Sequence, residues 1–301
     1  MKRYCCYIIF FLAISTSCFS QSRCNEFLKP SDSLNIQRRN TAIITEAAIA
    51  TATLVSLNQL WYADYPRSSF KTINDSGEWL QMDKMGHVFS SYQLGTIGAS
   101  TLNWAGVSKK DQLLYGATLG FGFLTAVEVM DGFSEEWGFS WTDMAANTAG
   151  TGLYIGQELL WKEQRVVLKY SFHRTRFAEQ RPDKLGNGLA EEFLKDYNGQ
   201  TYWLSANINS FLKVDGIPNW LNLAFGYGAE GMLTGEPNDP LFSNQNRTRQ
   251  YYLSLDMDLN RIKTNSSILK SVFSVLNVIK IPFPTLELND KGRVKMHSIY
   301  F

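Results

Sequence analysis

Apolar positions recur along this chain with two different periods, and the change falls near residues 162–165. Before it, a polar stretch over 21–40, rich in Ser, Asn and Arg, leads into four helix-length segments: 41–62, 83–104, 109–130 and 141–161. At a rise of about 1.5 Å per residue each could reach across a bilayer. Their apolar content comes from Ala and Gly more than Leu and Ile, however, and they carry Glu46, His87, Gln93, Asn103, Asn147, Gln157 and Glu158. Such polar groups make them marginal as spans. Small residues four apart, Gly95/Ala99, Gly116/Gly120 and Gly152/Gly156, predict close helix approach.

Beyond residue 165 the period is two, which predicts strands over 166–173, 201–212, 220–232, 249–262 and 294–301. The clearest sets Tyr251, Leu253, Leu255, Met257 and Leu259 against Tyr252, Ser254, Asp256 and Asp258. One run breaks the series. Ile268, Leu269, Val272, Phe273, Val275, Leu276 and Ile279 follow a helical spacing, with Pro282 and Pro284 as the stop. The fold expected is α+β: an N-terminal four-helix bundle over 41–163, then over 164–301 a half-buried antiparallel sheet or partial barrel with one amphipathic helix. Five visible strands are too few for a closed membrane barrel.

In an up-and-down bundle, the start of one helix, the end of the next and the start of the third share one end. Three polar pairs occupy those places: Asp83/His87, Glu128/Asp131 and Asp143/Asn147. Asp83 and His87, four apart, share a helix face, and a carboxylate beside a histidine orients it for proton transfer or metal binding. Glu128 and Asp131 sit at a helix C-terminus, where the dipole disfavours negative charge. Lys84 or a divalent cation would compensate. Ser140 to Asp143 match a capping box, which accounts for Asp143 without function, and Asn147 lies in an apolar run where its amide needs partners. Asp83, His87, Glu128, Asp131 and Asp143 are the candidate catalytic cluster, Lys84, Asn147 and Trp137 the candidate binding residues, and His87, Glu128 and Asp131 the candidate metal ligands. The loop 131–140, with Phe133, Trp137 and Phe139, would cover this end as a lid or touch lipid head groups.

Lys2 and Arg3, an apolar run from Tyr7 to Ile14 and small residues after it read as an export signal over 1–20. Cleavage after Ser20 fits an ordinary signal peptidase; lipidation at Cys18 is the alternative. Of four cysteines only Cys24 follows Ser20, which excludes an internal disulfide in the cleaved chain and a Cys-rich zinc site. The net charge of +1, with basic residues scattered among acids, argues against nucleic acid as a partner. No P-loop, dinucleotide fingerprint or Gly-x-Ser-x-Gly elbow is present.

The run Asp83-Lys84-Met85-Gly86-His87, then Glu128 and Asp131, then Trp141-Thr142-Asp143 with Asn147 and Gly150, resembles domain-of-unknown-function family 2279, predicted periplasmic lipoproteins of the YfiM type. It more distantly resembles VanZ-like membrane proteins, departing from them at Met85-Gly86. The resemblance covers roughly 82–156, while the runs 198–204 and 226–232 look like the C-terminal part of Bacteroidetes members of family 2279. It implies a periplasmic lipoprotein and brings no reaction with it. Association with the outer membrane or its periplasmic face is expected because helices this weakly apolar can pass through the inner membrane, where strongly apolar ones would be arrested. The expected function is that of an exported, membrane-associated envelope protein, a structural or binding module whose partner is a membrane lipid or envelope component. The alternative is an enzyme or binder acting on a lipid or lipid-linked molecule through the Asp/His/Glu cluster.

Overall fold

The computed structural model describes residues 21–63, 65–237, 239–242 and 246–301, so the expected signal over 1–20 lies outside the described residues. The stretch read as a polar linker carries helix α1 (Gln21–Leu28) and the start of α2 (Ile36–Leu57), which Asn35 caps by accepting from the Arg38 amide at 3.0 Å. Three further long helices follow: α3 (Met82–Trp104), α4 (Leu119–Gly132) and α5 (Trp141–Leu160). A two-stranded parallel ribbon, β1 (Thr72–Ile73) with β2 (Phe139–Ser140), ties the approach to α3 to the start of α5.

Of the four helices expected to bundle, α3, α4 and α5 pack closely and α2 lies outside. Only Ala42 of α2 is buried, while Ile43, Ile44, Ile49 and Val55 remain exposed; a Thr101 to Glu46 hydrogen bond links it to α3. Small residues explain the closeness of the other three. A Cβ on Gly98 would lie 2.4 Å from the Gly116 carbonyl oxygen, and one on Gly120 would lie 2.3 Å from that of Ser91. The expected Gly152/Gly156 pair faces open space, and the crossing of α5 on α3 uses Gly150 instead. Its Cβ would sit 2.1 Å from both Ser91 Oγ and the Val88 carbonyl oxygen. Gly150→Ala is therefore expected to lower stability by about 1–3 kcal/mol through overpacking, read as a fall in Tm with the helical circular dichroism retained.

The second half is one six-stranded antiparallel meander, β3 (Val166–Phe172), β4 (Gln200–Asn207), β5 (Leu221–Glu230), β6 (Thr248–Met257), β7 (Phe283–Asn289) and β8 (Val294–Tyr300), in sequence order. Five were expected. Pro282 and Pro284, read as a helix stop, hid β7. The register of β7 on β8 shifts between Phe283 and Thr285, a bulge that accommodates the missing N–H of Pro284. The amphipathic helix is α6 (Ser267–Leu276), and the chain after it runs along the free edge of β3, where Tyr170 N–H donates to Val278 O and Lys280 N–H to Tyr170 O, both at 2.9 Å.

The alternation seen in the sequence is present, but the polar side is the one turned inward. Tyr252, Ser254 and Asp256 are buried, while Tyr251, Leu253 and Leu255 are at least 40 % exposed. The sheet curls until β4 and β8 touch across its interior, with Thr201 Oγ1 3.1 Å from the Tyr300 hydroxyl, which itself donates to Tyr252 at 2.9 Å. Inside, Lys169 and Asp256 form a fully buried ion pair at 2.9 Å, and His297 meets Glu287 at 2.6 Å. Outside, Phe225, Leu253, Leu286 and Met296 align as cross-strand neighbours, each exposed by 41–68 %.

The helical layer covers only one flank of this outer side. Leu168 packs with Tyr92 and Tyr154, and Tyr170 and Tyr202 pack with Met82, Met85 and Phe89. The helical and strand-rich halves thus share their cores.

Candidate functional site

Asp83 enters the site from a strained turn. Trp79, Leu80 and Gln81 all have positive φ, at 46°, 50° and 66°, a conformation that costs roughly 1–2 kcal/mol per non-glycine residue. Contacts from the sheet and from the β5–β6 connection hold it in place. Tyr227 donates to the Leu80 carbonyl, Arg249 to Gln81 Oε1 at 2.7 Å, and the Trp79 amide to Gly235 O at 3.0 Å. Strain maintained by tertiary contacts immediately before a polar cluster is typical of functional sites.

From α3, Asp83 and His87 project together, and from the end of α4 comes Glu128. Ser140, capping α5, accepts from the Asp143 amide at 3.1 Å, while its own amide donates to Glu128 Oε2 at 3.0 Å. The result surrounds one atom. His87 Nε2 lies 3.9 Å from Asp83 Oδ1, 3.7 Å from Glu128 Oε1 and 3.8 Å from Asp143 Oδ1. The other ring nitrogen, Nδ1, is 3.0 Å from Asn147 Oδ1, an acceptor, so the network assigns the proton to Nδ1. Asn147 is fully buried, and its Nδ2 has no hydrogen-bond partner among the described residues.

Lys84 bridges three aspartates, 2.6 Å from Asp75 Oδ2, 2.9 Å from Asp83 Oδ2 and 2.7 Å from Asp143 Oδ1. The last contact is an ion pair outside hydrogen-bond geometry, and Asp143 Oδ1 has no hydrogen bond among the described residues. Asp75 also accepts from Ser140 Oγ at 2.6 Å and Thr142 Oγ1 at 2.7 Å. Ser140→Ala removes the cap and one of these bonds, with an expected loss of about 1–2 kcal/mol seen as a lower Tm in a chain that still folds.

Electrostatics follow from crowding of acids in a dry place. Burial pushes the Glu128 carboxyl up to about 8, and it raises Asp143, with the Asp83 charge adding to the effect. Burial opposes a charge on His87, but Asp83, Asp143 and Glu128 together outweigh it and raise its proton affinity. Burial likewise opposes ionised Asp75, yet the Lys84, Ser140 and Thr142 bonds win and hold it below the usual carboxylate range.

The structure brings Asp83, Lys84, His87, Glu128, Asp143 and Asn147 together. Asp131 stands apart from this contact set: it accepts from the Tyr62 hydroxyl at 2.6 Å, and burial pushes it up to about 6. Trp137 packs edge-on against Tyr62 and Tyr65 and lines a cavity of about 280 Å³ whose walls include Asp75, Asp83, His87, Glu128, Asp131 and Asp143. A second cavity of about 380 Å³ shares Asp83, His87 and Tyr197 with it and is otherwise mostly apolar, with Phe89, Leu124, Phe193 and Ile279 among its walls. Asp83, His87 and Asp143 offer ligand atoms all within 4.8 Å of one another.

Two members escaped the sequence reading. Asp75 sits in the turn-like run Asn74-Asp75-Ser76-Gly77, where an aspartate needs no special reason. Tyr197, whose hydroxyl donates to Asp83 Oδ1 at 2.8 Å, comes from the strand-rich half, over a hundred residues away. Neither carries a local signal.

Residues 72–156 match the family model DUF2279, a predicted periplasmic lipoprotein. The matched region runs from β1 to the last turn but one of α5 and contains Asp75, Asp83, Lys84, His87, Glu128, Asp131, Trp137, Asp143 and Asn147, while Tyr62 and Tyr197 lie outside it. That description fits an exported, periplasmic protein and agrees with the family resemblance carried by the Asp83 to Gly150 residues. Neither a curated protein nor a solved structure matches the chain.

Proposed function

We propose that the protein is an exported module of the outer membrane or its periplasmic face, seated against lipid acyl chains by the outer side of β5–β7. The observation that carries this reading is the inverted polarity of the sheet, with polar side chains buried and an uncharged apolar row outside. In water the opposite arrangement is favoured, because exposing apolar area costs roughly 25 cal/mol per Å². Outward side chains apolar and inward ones polar are the pattern of sheets that face hydrocarbon. Along β5 the outward positions Leu221 to Tyr227 cover about 20 Å at the strand rise, close to the height of a membrane apolar band. Charged residues stand at the strand ends, as with Glu230 and Arg249. The helices are not assigned as spans. Ile36–Leu57 and Lys109–Gly132 are long and apolar enough to cross a bilayer, but the second ends on the buried carboxylate of Glu128.

Membrane fractionation of cells expressing the full chain tests this placement, together with flotation of the purified protein on phospholipid vesicles. Co-sedimentation with outer-membrane markers and flotation are expected. Recovery with inner-membrane markers, or no flotation, rules the reading out.

A second reading is favoured by the two cavities that meet at Asp83, His87 and Tyr197, one polar and one apolar. That pairing suits an amphipathic molecule, with its polar group among the carboxylates and its chain among Phe89, Leu124 and Phe193. It supports an enzyme or binder acting on a lipid or lipid-linked envelope molecule. His87→Ala separates the two readings: an unchanged Tm with a lost envelope phenotype supports the second, and a loss of stability alone supports a structural role.

A further inference from the structure

We propose that Asp83, His87 and Asp143, with Glu128 beside them, form a binding site for one first-row divalent cation. The argument begins with a lone pair. Asn147 Oδ1 accepts from His87 Nδ1–H, so a cation that displaces any proton on Nε2 meets an unshared pair facing three carboxylate oxygens at 3.7–3.9 Å. Those separations are too long for hydrogen bonds. They suit atoms that each lie about 2.1 Å from a common ion, since such ligands stand roughly 3–4 Å apart.

A second observation is independent of the acidic count. Asp143 is 4 % exposed, and its Oδ1 meets the Lys84 ammonium at 2.7 Å as an ion pair but has no bond of good hydrogen-bond geometry among the described residues, although buried oxygens usually have one. That oxygen lies 3.8 Å from His87 Nε2. The supporting shell is also in place. Asn147 orients the histidine, Tyr197 donates to Asp83 Oδ1, and the Ser140 amide donates to Glu128 Oε2. Such contacts fix ligand geometry at metal centres.

Charge points the same way. Lys84 is one ammonium shared by Asp75, Asp83 and Asp143, and with Glu128 four carboxyl groups converge on that ammonium and one imidazole, an excess of acidic groups that a divalent cation would offset. One imidazole and several carboxylates, without a thiolate, suit Mn²⁺ or Zn²⁺. Asp131, a ligand candidate on sequence grounds, is replaced in this set by Asp83 and Asp143 because its carboxylate is committed to Tyr62.

The test uses the purified exported chain, stripped with chelator and titrated with Mn²⁺, with free Mn²⁺ followed by electron paramagnetic resonance and Zn²⁺ as competitor. One saturable equivalent per chain and a higher Tm with metal are expected. Asp143→Asn and His87→Gln each weaken binding on the order of tenfold or more, while Asp183→Asn, an exposed acid outside the cluster, leaves it unchanged. Metal-free Tm values report folding separately, and if His87→Gln fails to fold, Asp143→Asn carries the test. Absence of a saturable equivalent for both ions overturns the site. So does unchanged affinity in folded Asp143→Asn, or equal loss in Asp183→Asn. No readout involves lipid, so failure here leaves the membrane placement standing, and the reverse holds.

Discussion

Replacing Leu253 by lysine and Leu286 by glutamate is expected to abolish vesicle flotation while the sheet still forms. The two residues are direct cross-strand partners on the outer side of β6 and β7, each 41 % exposed. Opposite charges at such a pair favour strand pairing in water, so the fold has no reason to fail. In hydrocarbon the lysine alone costs about 2–4 kcal/mol, and less toward the interface. That range corresponds to roughly 30- to 1,000-fold in partitioning. The measurement is flotation of wild-type and doubly substituted chains with matched circular dichroism. Equal flotation would show that the apolar row does not meet lipid.

The largest single loss of stability is expected from Lys169→Met. Lys169 and Asp256 are both fully buried inside the sheet, 2.9 Å apart. Lys169 also donates to Met257 O at 2.6 Å, while Asp256 accepts from Ser205 Oγ at 2.6 Å and from the Ile281 amide at 3.0 Å. Removing the lysine leaves a buried carboxylate whose remaining cation, Lys280, is 4.0 Å away. Breaking such a pair from one side costs about 3–5 kcal/mol, whereas removing both charges costs far less. Lys169→Met combined with Asp256→Asn is therefore expected to recover much of the loss, because the amide keeps an acceptor for the Ile281 N–H without a charge to strand. Chemical denaturation of the wild type, the two single variants and the double variant measures the coupling. Strict additivity would mean that the pair does not act as a unit.

These two results probe opposite sides of one sheet, and the sheet shows how far local pattern reaches. Alternation of Tyr251, Leu253 and Leu255 with Tyr252, Ser254 and Asp256 located β6 closely. A period of two is symmetric, however, and says that two sides differ without saying which is inside. β7 escaped for a local reason: two prolines read as punctuation, and only the bulge against β8 makes Pro284 tolerable in a strand. The outlying position of α2 was illegible for a similar reason, since its apolar content matches that of helices that do pack.

At the site, spacing along single helices was informative. Asp83/His87 and Asp143/Asn147 each share a face, and the Ser140 cap on Asp143 could be read directly. What spacing could not supply was direction across the gap. Lys84, expected to offset the α4 terminus, bridges Asp75, Asp83 and Asp143, and Asp131 turns to Tyr62.

By itself, then, the sequence determined most of the helix and strand segments, the cap on α5 and the shared faces of Asp83/His87 and Asp143/Asn147, because periodicity and capping act over short spans of chain. The tertiary structure alone decided that the sheet turns its polar side inward, that Asp75 and Tyr197 join the site, and that three carboxylates surround His87 Nε2. Those outcomes depend on which surfaces meet across long stretches of chain, and no local pattern records that.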